Sequence, residues 1–136
     1  MSDESGTASI DGALDQMRAE HDQLIRTVDE IKQAIGANDV AGATKLIVQL
    51  QVHQQAHFDH EVALMERYRY PHADHHQTSH TSLIDTLHSI YRLISLENLH
   101  QLSDELAEYL EKSMQHIIEV DRPLQDFLNI ARDGDD

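Results

Sequence analysis

The chain has 136 residues, enough for one domain around one core, and 25 acidic against 10 basic residues give it a formal charge of −15. Such a surface repels nucleic-acid phosphates and anionic membranes, so neither is expected as a partner; it favours solubility and offers a contact face to a protein partner. Cysteine is absent, which excludes disulfides, thiolate zinc sites and iron–sulfur clusters and leaves His, Asp and Glu as the ligands for any transition metal.

Met1 to Ser9 is polar and acidic with no basic residue, unlike a signal peptide, and residues 1–10 are expected to be a flexible segment. Residues 11–130 read as a single domain and 131–136 as an acidic tail. No segment is long and apolar enough to span a membrane, and a cytoplasmic location is the default expectation. Prolines occur only at Pro71 and Pro123, and few glycines interrupt a chain rich in Leu, Ile, Ala, Glu and Gln, which predicts long helices.

The first periodic block runs Leu14, Met17, His21, Leu24, Val28, Ile31, Ile35 in steps of three and four. Gly36-Ala37-Asn38-Asp39 then supplies a stop and an N-cap. The second block carries Ala43, Ile47, Leu50, Gln54, His57, Glu61, Leu64 and Tyr68, and Tyr70-Pro71 breaks it ahead of a new helix. The third reads His76, His80, Leu83, Leu87, Ile90, Ile94. The fourth reads Leu99, Leu102, Leu106, Tyr109, Ser113, His116, Val120 until Pro123, and a short apolar tail follows. Four helices of about 20 to 28 residues with short connections predict an all-α, up-down-up-down antiparallel four-helix bundle with a short C-terminal helical tail.

Of the 11 histidines, His21, His57, His76, His80 and His116 fall in these apolar seams, and so does Glu61. Burying five imidazoles and a carboxylate is costly unless something pairs them, and a metal does so. His57 and Glu61 are four apart, as are His76 and His80, so each pair points to one spot. More than four imidazole and carboxylate ligands argue for two ions and suit iron, manganese or zinc. His53, His60, His72, His75, His88 and His100 mostly lie off the seams and read as solvated surface, His53 and His72 each standing one turn from a ligand.

The run His57-Phe58-Asp59-His60-Glu61 with Met65, Tyr70-Pro71, His76 and His80 resembles the hemerythrin signature. Glu20-His21-Asp22-Gln23-Leu24 and His116-Ile117 followed by Asp121 resemble the first and last ligand motifs of that family, so the similarity spans about residues 10 to 130. The resemblance implies a di-iron centre. His76, His80 and His116 would bind one iron and His21 and His57 the other, with Glu61, Asp121 and an oxo or hydroxo group bridging them. It further implies O2 bound end-on at the five-coordinate iron and held as a hydroperoxide. From His116, helical spacing favours Glu119 over Asp121, since residues five apart diverge by about 140°. The resemblance selects Asp121, and Pro123 offers a physical reason by loosening this turn.

Hemerythrins usually carry Trp-Leu where Lys112-Ser113 stands here. Ser113, Ile117 and Tyr109 are expected around the O2 pocket, with Ser113 admitting water or Tyr109 closing it. The leading expectation is an O2-binding protein for storage, delivery or sensing, more a binder than an enzyme, and a monomer or small homo-oligomer. The alternatives are a di-iron enzyme acting on peroxide, nitric oxide or ferrous iron, and an oxygen-responsive regulatory domain acting through a partner protein. A zinc site is a lesser alternative, as is a ferritin-like centre, which would be richer in carboxylates.

Overall fold

Helical propensity and three-four periodicity carry through into five α-helices and one wide helical turn. A computed structural model describes the backbone of residues 2–95 and 98–134, and the side chains of 10–95, 98 and 100–133. The elements are α1 (Ser2–Gly36), α2 (Val40–Arg67), α3 (Ala73–Ser95), α4 (Leu99–His116), a π-turn (Ile117–Asp121) and α5 (Arg122–Gly134). No strand occurs among the described residues. Met1, at the start of the segment expected to be flexible, and Asp135 and Asp136, at the end of the expected acidic tail, lie outside them. The rest of the first segment belongs to α1, and Ile10 is fully buried.

The ends of the helices follow their local chemistry. Asn38 adopts a left-handed conformation with φ of 56°, which its short polar side chain tolerates, and so reverses the chain after α1. Asp39 then caps α2 by accepting the Gly42 N–H at 2.9 Å, and a side chain at Gly42 would collide with the capping carboxylate. Asn98 caps α4 in the same way, accepting from the Gln101 N–H at 3.3 Å. Pro71 does not open α3; it stands two positions before its first residue, in the turn where Arg69 has φ of 55°.

α1 packs on α2, α2 on α3, α3 on α4, and α4 back on α1, while α5 lies against α1. This closes a helical bundle around two apolar clusters. The larger joins Val28 and Ile31 with Ile47, Leu50, Leu87, Ile90, Leu102 and Leu106. The smaller joins Ile10, Met17, Met65, Tyr70, Leu124 and Leu128. In α2 the seam passes from Glu61 to Met65, which is buried, whereas Leu64 and Tyr68 are only half-buried. A four-residue step from Glu61 keeps the stripe on the core, and the three-residue step read from the sequence drifts off it. Among the described residues no helix is long and apolar enough to cross a membrane.

Candidate metal centre

Between the two apolar clusters lies a polar layer. His21, His57, His76, His80 and His116 are each at least nine-tenths buried, and Glu61 and Asp121 are fully buried. Each arrives by a different local route. His57 and Glu61 share one face of α2 a turn apart, and His76 and His80 do the same on α3. His21 comes from the middle of α1 and His116 from the last residue of α4.

Asp121 reaches the layer because the helix widens beneath it. Over Ile117–Asp121 the backbone is π-helical, and the Arg122 N–H bonds to the Ile117 carbonyl five residues back. Pro123 has no N–H to offer the Glu119 carbonyl, so the ordinary pattern is already weakened there. The wide turn brings a residue five after His116 onto the face that a regular helix would give to one four after it. Asp121 therefore points inward and Glu119, which helical spacing favoured, is exposed.

The contacts divide the seven side chains into two groups that share Asp121: Glu61, His76, His80 and His116 on one side, His21 and His57 on the other. The Asp121 oxygens divide the same way. Oδ1 lies 3.0 Å from His76 Nε2 and 2.9 Å from His116 Nε2, while Oδ2 lies 2.9 Å from His21 Nε2 and 3.9 Å from His57 Nε2. Glu61 reaches both groups as well, with Oε1 at 3.1 Å from His57 Nε2 and 3.2 Å from His80 Nε2, and Oε2 at 3.3 Å from His76 Nε2. All five imidazoles present Nε2 to the interior.

The outward nitrogens fix that orientation. His57 Nδ1 donates to Glu20 Oε1 at 2.9 Å, which leaves a lone pair on Nε2. His116 Nδ1 sits 2.5 Å from Ser79 Oγ, and the His80 ring stacks on Phe58 with centroids 3.8 Å apart. Glu20 Oε2 also takes a bond from the exposed His60 at 2.8 Å. In the sequence Glu20 and Phe58 stand out only as members of a signature, and Ser79 carries no signal. Glu20 and Ser79 each immediately precede a histidine of the layer, and the 100° turn per residue aims them at the neighbouring helix.

Several inward atoms, namely His57 Nε2, His76 Nε2, His116 Nε2, Glu61 Oε2 and Asp121 Oδ1, are buried without a hydrogen-bond partner. Lone pairs and carboxylate oxygens converging on one space repel one another unless a cation sits among them. The residues therefore fit a metal: this buried His/Glu/Asp group can hold one. Protons can take its place. Burial opposes charge on His57 and His76, but the Asp121 and Glu61 carboxylates outweigh it and lift them to about 11 and about 9. Burial likewise opposes charge on the carboxylates, yet the histidines hold Glu61 down to about 2 and Asp121 well below the usual carboxylate range. His80 is pushed down, mainly by burial.

Next to this layer, Gln54 and Tyr109 are fully buried, and the Tyr109 hydroxyl donates to Gln54 Oε1. Gln54 Nε2 has no partner, the buried Ser113 Oγ lies beside the Tyr109 phenol, and burial pushes that phenol up. Two of the expected pocket residues thus stand together, Ser113 one turn and Tyr109 two turns before His116. The third, Ile117, borders a different cleft of about 500 Å³ that opens on His21. Of the remaining histidines, His60, His72, His75, His88 and His100 are exposed, and His53 is half-buried.

The chain matches no protein-family model, and no curated protein or solved structure is significantly similar to it.

Proposed function

We infer that this chain is a non-haem di-iron protein that binds O2 reversibly, in the manner of the hemerythrins its motifs resemble, on an antiparallel up-down-up-down bundle. The observation that carries the reading is the split of Asp121, whose Oδ1 meets His76 and His116 and whose Oδ2 meets His21 and His57, while His80 joins the first group through Glu61. Unequal histidine groups joined by shared carboxylates suit two ions with unequal coordination, one saturated and one open. Seven nitrogen and oxygen ligands favour iron over zinc, which prefers four. A pair of ferrous ions bound there supplies two electrons and an open coordination position for O2. The chain order of contacts supports the antiparallel arrangement: Met17 shares a cluster with Met65, and Val28 shares the opposite cluster with Ile47 and Leu50.

The protein's own part is to hold and to seclude. Glu20 and Ser79 lock two imidazoles in the orientation that directs Nε2 inward, and Phe58 covers His80. The two apolar clusters keep bulk water from both ends of the layer. One observation favours a second reading, turnover of peroxide or nitric oxide. The Gln54–Tyr109–Ser113 group sets hydrogen-bonding atoms in the core where an apolar cap would retain O2 better.

Metal analysis with anaerobic reduction tests the reading. Iron-replete protein is expected to carry about two irons per chain. Admitting air to the reduced protein should raise a near-ultraviolet and visible absorption band that disappears under nitrogen. Iron that is oxidised irreversibly, with steady peroxide consumption, favours the enzyme; protein without iron overturns both.

A further inference from the structure

Clefts reach the buried layer at His21, at His116 and at His76, and a cation has to enter through one of them; the cleft at His76 is the one lined by two further imidazoles and a carboxylate. It measures about 270 Å³ and is lined by Tyr70, His72, His75, His76, Glu119 and Pro123 among others. His72, His75 and Glu119 are exposed, and none belongs to the buried ligand groups. His76 connects the cleft with the core. Its Nε2 faces Asp121 and Glu61, while its Nδ1 is buried and has no hydrogen-bond partner. The His57 and His116 rings differ here, because Glu20 and Ser79 occupy their outward nitrogens.

Resting on the metal-centre reading above, we propose that His72, His75, Glu119 and the Nδ1 of His76 form an entry port that captures divalent cations from solvent and passes them to the buried ligands. Two imidazoles and a carboxylate suit a hydrated ferrous or similar divalent ion. Their donors are not gathered into a closed cage, so the port binds weakly and releases readily, as a transit site must. The π-turn sets this up: it directs Asp121 into the core and leaves Glu119 outside, one carboxylate on each side of the wall. The acidity of the whole chain raises the local cation concentration at the mouth. Tyr70, packed edge-on to both His72 and His76, lines the cleft beside them.

The probe is Co2+, mixed in a stopped-flow instrument with metal-free full-length protein and followed by its ligand-field absorption. The triple variant His72→Gln/His75→Gln/Glu119→Gln should fill the core about tenfold more slowly than wild type, the low end of what charged focusing delivers. Its final cobalt content should equal that of wild type. Because the equilibrium is unchanged, extraction by EDTA should slow by the same factor. His88→Gln/His100→Gln, which also removes two exposed histidines, should load at the wild-type rate. Equal rates in the triple variant, equal slowing in the control, or a lowered final content overturns the port. Wild-type protein that takes up no cobalt overturns the metal centre itself.

Discussion

The large apolar cluster and the histidine layer are equally buried, yet opposite forces hold them. Ile47, Leu50, Ile90, Leu102 and Leu106 are inaccessible to water and need nothing beyond one another. Each methylene removed from water there contributes on the order of 0.8 kcal/mol. Glu61 and Asp121 are as inaccessible, but their environment is incomplete, and atoms around them face unpaired lone pairs. Equal burial therefore says little about self-sufficiency. The apolar cluster folds the chain, and the polar layer sets a condition on it: a cation or protons must be supplied.

The largest expected break in this contrast is at Asp121. Asp121→Ala removes the carboxylate shared by both histidine groups and should lower metal content sharply, whereas Glu119→Gln should leave equilibrium metal content unchanged; metal analysis after dialysis separates them. Leu106→Ala should cost about 2–5 kcal/mol in chemical denaturation, and by the same amount with or without metal, because the void it leaves touches only apolar neighbours. Glu61→Ala should behave differently, with a larger loss in the metal-loaded protein than after chelation.

Acid and base sharpen the contrast further. In metal-free protein His57 and His76 are raised from 6.5 to about 11 and about 9, so they contribute stability that is complete below pH 6.5 and is lost as pH climbs through about 9 for His76 and about 11 for His57. Glu61, lowered from 4.5 to about 2, contributes above pH 4.5 and loses its contribution as pH falls through 2. His80, pushed down, opposes the other two histidines without reversing them. Melting temperatures of the metal-free protein should thus fall from pH 6.5 to 9. Those of the loaded protein should rise from pH 5 to 8, since metal binding requires deprotonated imidazoles. Parallel curves would sink the account. The smallest effect belongs to Glu20→Gln, which keeps the shape of the His57 partner but loses its charge; metal affinity should drop about tenfold with no change in ligand number, read by competition with a chelating dye.

Much of this was legible from spacing. The pairs His57–Glu61 and His76–His80 follow from one helical turn, and the apolar stripes from Met17 to Ile31 and from Leu83 to Ile94 follow from the same rhythm. Asp121 was legible only through the family resemblance, because regular helical geometry points to Glu119 and no propensity announces a π-turn. Ser79 could not be read, since a serine beside a ligand carries no signal until a neighbouring helix brings His116 to it. The drift from Glu61 to Met65 rather than Leu64 was a matter of phase: Leu and Met are both apolar, and only packing tells which faces inward.

The bulge at Ile117–Asp121 also acts as a splice in the wall. It absorbs one more residue than a plain coil would use, and Ile118 and Glu119 spill outward to make room. Everything beyond stays in phase, with Leu124 and Leu128 still seated beside Met17. Excising Ile118 should therefore leave the same aspartate facing inward and the last helix in phase, so this stretch is where the chain can change length while both its chemistry and its packing stay in place.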